Sequence, residues 1–84
     1  MIDKEMQEGL EVYTAKVVWF SGTRGIGFLQ WERNGVKQRD MFVHYSNIVM
    51  EGFKVLYKDQ LVSFSIGKNN HGDPKAINVT VLKQ

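Results

Sequence analysis

At 84 residues the chain has room for one small domain with a modest core. Hydrophobic residues make up 43 % and aromatics 12 %, so it is not compositionally disordered, and the net charge of +2 is too small by itself to argue for a polyanionic partner. Cysteine is absent, which excludes disulfides, thiolate metal sites and cysteine nucleophiles.

Residues 1–12 carry Asp3, Glu5, Glu8 and Glu11 against Lys4, whereas residues 13–84 carry ten Lys/Arg against five Asp/Glu. An acidic extension of charge −3 thus precedes a basic body of +5, and such asymmetry points to a solvated tail or to one that competes with a ligand. Ile2, Met6 and Leu10 recur at helical spacing, but Gly9 and the low apolar content predict a frayed segment or a short helix. No apolar run follows a basic start, and no stretch is long enough to span a membrane, so a cytoplasmic address is expected.

From Tyr13 the pattern turns to β. Tyr13 to Phe20 is rich in β-branched and aromatic residues and is closed by Ser21-Gly22-Thr23. A second strand is predicted from Gly25 to Trp31 and a third from Arg39 to His44, with Asn34-Gly35 as the hairpin signal between them. Tyr45-Ser46-Asn47-Ile48 suits one helical turn capped locally by Ser and Asn, and a polar loop follows around Glu51 to Lys54. Leu61 to Ile66 alternates Val62, Phe64 and Ile66 with Ser63 and Ser65, a half-buried strand. Turn formers fill Lys68 to Pro74, and Lys75 to Leu82 is the last strand, with Ile77, Val79 and Val81 in phase. Five strands with short links and no long helix predict an all-β fold, a five-stranded antiparallel OB-type barrel over residues 13–84 with a short or disordered N-terminal extension over 1–12.

Two segments carry the chemistry, Arg24-Gly25-Ile26-Gly27-Phe28-Leu29 and Asp40-Met41-Phe42-Val43-His44-Tyr45. Alternation along a strand puts Ile26 with Phe28 on one face, and Phe42 with His44 on one face of the next strand. Antiparallel pairing would gather these groups, with Trp19-Phe20 extending the surface and Arg24 at its edge. Leu29, Val43 and Val17 already supply an inward apolar set, so the outward aromatics need an outward reason. Bases stack on such a surface while a nearby cation holds phosphates. Gly25 and Gly27 read as structural, because the third glycine and the strand-to-helix context of a dinucleotide fingerprint are missing.

Lys16-Val17-Val18-Trp19-Phe20, the two segments above, Gly52-Phe53 and Ala76-Ile77-Asn78-Val79-Thr80 stand in the order and spacing of the landmarks of the bacterial cold-shock domain, which the chain resembles from about Ala15 to Leu82. The Arg24–Leu29 and Asp40–Tyr45 segments are similar to that family's RNP1 and RNP2 motifs. The resemblance implies binding of single-stranded DNA and RNA with loose sequence preference, and a role as an RNA chaperone or a regulator of transcription or translation. Its nucleic-acid contacts would fall on Trp19, Arg24, Phe28, Phe42, His44, Tyr45 and Phe53. The chain departs from the family at Val18, which replaces a Lys, and at Ile26, which replaces an aromatic. His71 stands where a basic residue often lies, in a slightly long loop, and Trp31 is an unexpected aromatic.

No Ser/His/carboxylate spacing, paired carboxylates or metal cluster suggests an enzyme, and no cofactor, metal or small-molecule substrate is expected; His44 and His71 are too far apart in sequence to suggest a metal pair. The competing expectation is an OB-type protein-interaction or ribosome-associated module with little single-strand binding. A monomer is expected, with strand-edge pairing into a dimer as the alternative.

Overall fold

A computed structural model describes residues 11–83, and the spacing of Ile2, Met6 and Leu10 falls outside them. All five expected strands are present, and a two-residue strand is added at the hairpin: β1 Tyr13–Ser21, β2 Ile26–Arg33, β3 Val36–Lys37, β4 Met41–His44, β5 Leu61–Lys68 and β6 Pro74–Lys83. All pairings between these strands are antiparallel, in the order β3-β2-β1-β5-β6, with β4 also paired to β2, on the edge away from β1. Beyond β4 the chain makes one 3-10 turn, Tyr45–Asn47, and Ile48 bridges in parallel to Val79 of β6. That bridge, with the Val49 N–H donating to the Val79 carbonyl at 2.8 Å, brings the sheet round into an OB-type barrel.

Asn34 and Gly35 have φ of 53° and 80°, the left-handed geometry that an Asn-Gly hairpin turn requires. Val17, Leu29, Ile48, Leu56, Val62, Phe64, Val43 and Val79 are each at most 2 % exposed and form the core. Full burial of such a side chain contributes roughly 1.5–3 kcal/mol. Trp31 joins the core at 6 % exposure, edge-on to Phe64 at 5.4 Å and to Tyr13 at 5.2 Å. Its Nε1–H donates to the Arg39 carbonyl at 3.0 Å, which satisfies the indole and ties down the chain entering β4.

Simple alternation fails at three places. In β1 the pairing steps from Val17↔Leu29 to Trp19↔Phe28, a bulge at Val18 that turns Val17 inward and Trp19 outward. The loop before β5 holds it, since the Val17 N–H donates to the Gln60 carbonyl and the Val17 carbonyl accepts from the Asp59 N–H. In β5 the register shifts between Ser63 and Ser65, so Ser65 is buried rather than on the solvent side. In β6 Asn78 adopts φ 52°, which breaks the expected Ile77–Val79–Val81 phase: Ala76 and Val79 point inward and Ile77 is only half-buried.

Candidate nucleic-acid interface

Gly27 makes the close β1–β2 approach feasible, because a Cβ there would meet the Trp19 carbonyl oxygen and stand 2.7 Å from the Phe20 ring. With β2 flanked by β1 and β4, Trp19, Phe28 and Phe42 become direct cross-strand neighbours. The Phe28 ring lies 5.8 Å from both Trp19 and Phe42, tilted at 55° and 69°. Trp19 is 41 % exposed, and the two phenylalanines are half-buried on the same outer face. A second row runs beside this one, with Ile26 opposite both Ser21 and His44. Ile26 is half-buried and contributes an apolar but not a π surface.

His44 is both a platform group and a cap. Its Nδ1 accepts from the Ser46 N–H at 3.2 Å and meets the Ser46 hydroxyl at 2.8 Å, so the imidazole itself caps the 3-10 turn, where Ser and Asn were expected to. An Nδ1 that accepts leaves the proton of the neutral ring on Nε2, as a donor on an orientationally fixed ring. The Tyr45 ring follows at 4.5 Å from His44. It lies against Gly25, where φ is +72° and a Cβ would strike the ring, and the Tyr45 N–H donates to the Gly25 carbonyl.

Tyr45 and Phe53 flank a recess of about 350 Å³ whose lining includes Gly22, Gly25 and the cations Arg24 and Lys54. Phe53 is 72 % exposed, and its ring lies 3.6 Å from where a Cβ on Gly22 would sit. Arg24 is exposed in the β1–β2 turn, which is fastened by its own N–H to the Ser21 hydroxyl and by the Gly25 N–H to the Ser21 carbonyl. All seven residues singled out from the sequence therefore lie on one side, as a platform of Trp19, Phe28, Phe42 and His44 beside a recess of Tyr45, Phe53 and Arg24. Lys54, next to Phe53 in sequence, lines the same recess. His71 is exposed in the β5–β6 loop, which Asn69 organises by accepting from the His71 and Asp73 N–H groups.

Flat exposed rings over a barrel face, with cations at the margin, define an OB-type nucleic-acid-binding domain. The chain belongs to the cold-shock domain family: the 'Cold-shock' DNA-binding domain matches residues 13–82. It is similar to the cold shock-like protein CspA of Vibrio cholerae, 44 % identical over 69 residues that cover 82 % of this chain and 93 % of that one. It is also similar to the cold shock-like protein CspD of Bacillus cereus, 48 % identical over 67 residues covering 80 % and 94 %. Among solved structures, Drosophila Unr CSD456 shares the fold, with a TM-score of 0.67 at 19 % identity over 96 % of this chain and 31 % of that one. Family membership makes the chain a binding module and not an enzyme. Among the described residues no helix is long and apolar enough to cross a membrane, and no group of three His, Asp or Glu could hold a metal ion.

Proposed function

We propose that this protein binds single-stranded RNA and DNA by stacking unpaired bases on Trp19, Phe28, Phe42 and His44, and in the recess between Tyr45 and Phe53, with Arg24 and Lys54 on phosphates. The observation that carries the reading is the cross-strand row Trp19–Phe28–Phe42, three rings kept outward although the core beneath is already filled by Val17, Leu29 and Val43. Every base has a π face, so stacking tolerates sequence. A duplex hides those faces, and the platform therefore selects open strands. By binding only the open form, the protein shifts hairpins toward it by mass action, with no cofactor or hydrolysis, as an RNA chaperone does. The protein acts as a monomer, since one barrel carries the whole surface.

The two tryptophans make a direct test. Trp19 is exposed on the platform and Trp31 is buried, so a bound oligopyrimidine quenches the first and spares the second. Single strands are expected to quench strongly and in a salt-sensitive way, matched duplexes weakly, and Trp19→Phe is expected to abolish the quenching while the Trp31 emission persists. Absence of quenching with every oligonucleotide would favour a protein-interaction module instead.

A further inference from the structure

Phe42 lines a second concavity as well as the platform. This groove, of about 740 Å³, is lined by Tyr13 and Arg33 and floored by the buried Trp31. Its size is within the roughly 300–1,000 Å³ of sites that hold small organic groups. The Arg33 guanidinium lies 5.2 Å from the Tyr13 ring centroid and 5.9 Å from that of Trp31, so a flat cation is laid over two aromatic faces. Its Nη2–H donates to the Tyr13 hydroxyl at 2.6 Å, and that hydroxyl donates to Glu11 at 3.0 Å. This relay orients the guanidinium and neutralises one carboxylate against it.

The remaining charges are Arg39, Asp40 and Asp73, which leaves the rim slightly acidic. A free anion does not suit that balance. A nucleotide whose base has an exocyclic amino group does, because its N–H groups donate to carboxylates, its faces lie on the Arg33 guanidinium and Phe42, and its single phosphate meets Arg39. Uracil and thymine suit it less, since they present a lone N–H between two carbonyl acceptors that a carboxylate repels. Continuity through Phe42 says where this nucleotide comes from, namely the strand already stacked on the platform. We propose that the groove between Arg33 and Asp73 is a further subsite for that strand, and that it takes guanine, adenine or cytosine in preference to uracil or thymine. The inference rests on the single-strand reading above and extends it.

The test uses the full chain and a thymine hexamer, alone and lengthened by one dG, dC or dT at either end, with dissociation constants read by fluorescence. At one end, dG or dC is expected to tighten binding about tenfold, within what one stacked base adds, and dT to add much less. Arg33→Gln and Asp73→Asn should each remove that increment while both variants stay folded and the hexamer affinity is unchanged. An increment at neither end, an equal one for dT, or one that survives both substitutions overturns the proposal. An increment that appears only after residues 1–10 are deleted assigns the groove to the chain's own extension and also overturns it. Failure of the hexamer itself to bind is a different result, and it would overturn the single-strand reading from which the proposal starts.

Discussion

Phe28 is the residue whose loss is most informative, because its ring is the only member of the row with an aromatic neighbour on each side, at 5.8 Å in both directions. Phe28→Ala removes one base–aromatic stack, worth about 1–3 kcal/mol of affinity, or roughly 5- to 150-fold in Kd. Its contacts with Trp19 and Phe42 vanish from the free and the bound protein alike, so they largely cancel in affinity and appear in stability instead. Each aromatic pair is worth about 0.5–1.5 kcal/mol, so the two sum to about 1–3 kcal/mol, and a net loss of about 1–2 kcal/mol is expected once the neighbours relax. For a domain this small that is about 5–15 °C in melting temperature. Fluorescence titration with an oligopyrimidine and thermal melting by circular dichroism read the two quantities separately, and Phe28→Tyr should restore both. Normal binding by a folded Phe28→Ala variant would refute the stacking role, and complete unfolding at 25 °C would show that the ring belongs to the core.

The other predictions test the margins of the platform. Ile26→Tyr places a π face beside Phe28 and opposite His44 and should gain about 1–2 kcal/mol of single-strand affinity; a lower melting temperature with no gain would make Ile26 a core residue. Val18→Lys at the bulge should tighten binding and steepen the log–log salt dependence by about 0.7, the value for one single-strand phosphate, whereas an unchanged slope would place the residue off the nucleic-acid path. Gly27→Ala sets a methyl group against the Trp19 carbonyl and the Phe20 ring, so β1 and β2 must part, at a cost of about 1–3 kcal/mol in urea denaturation. An undiminished midpoint in urea would mean that the strands do not approach as closely as described.

Most of the architecture was legible because two signals agreed along the chain. Alternating apolar residues marked β2, β4 and much of β5, and Asn34-Gly35 marked the hairpin with the one dipeptide that takes left-handed φ twice without difficulty. The inward set of Leu29 and Val43 and the outward set of Phe28 and Phe42 followed from strand periodicity alone. Periodicity could not show where an extra residue resets the phase. Nothing in Val17-Val18-Trp19 distinguishes a bulge from a straight strand, and a straight one would bury Trp19 beside Val17. Asn78 did carry a signal, since Asn tolerates the left-handed region, but within a β-rich run that signal is outweighed. Trp31 stood out in sequence, yet its place depends on Tyr13 and Phe64 meeting across β1 and β5, a pairing between residues 51 positions apart.

Of these features the bulge is the one that bears on the candidate site. The outer face of β2 is the same along its length, but the platform is three strands wide only because β1 switches faces between Val17 and Trp19. That switch is secured from the far side of β1, where Val17 exchanges hydrogen bonds with the Asp59–Gln60 backbone. Asp59 holds φ at 72°, and the buried Gln60 side chain accepts from the Tyr57 N–H to close the loop. A turn with no part in the aromatic surface therefore decides whether the indole faces a base or the core. In a barrel this thin the two outcomes lie one residue of register apart, and the choice between them is made by backbone hydrogen bonds that no pattern of side chains records.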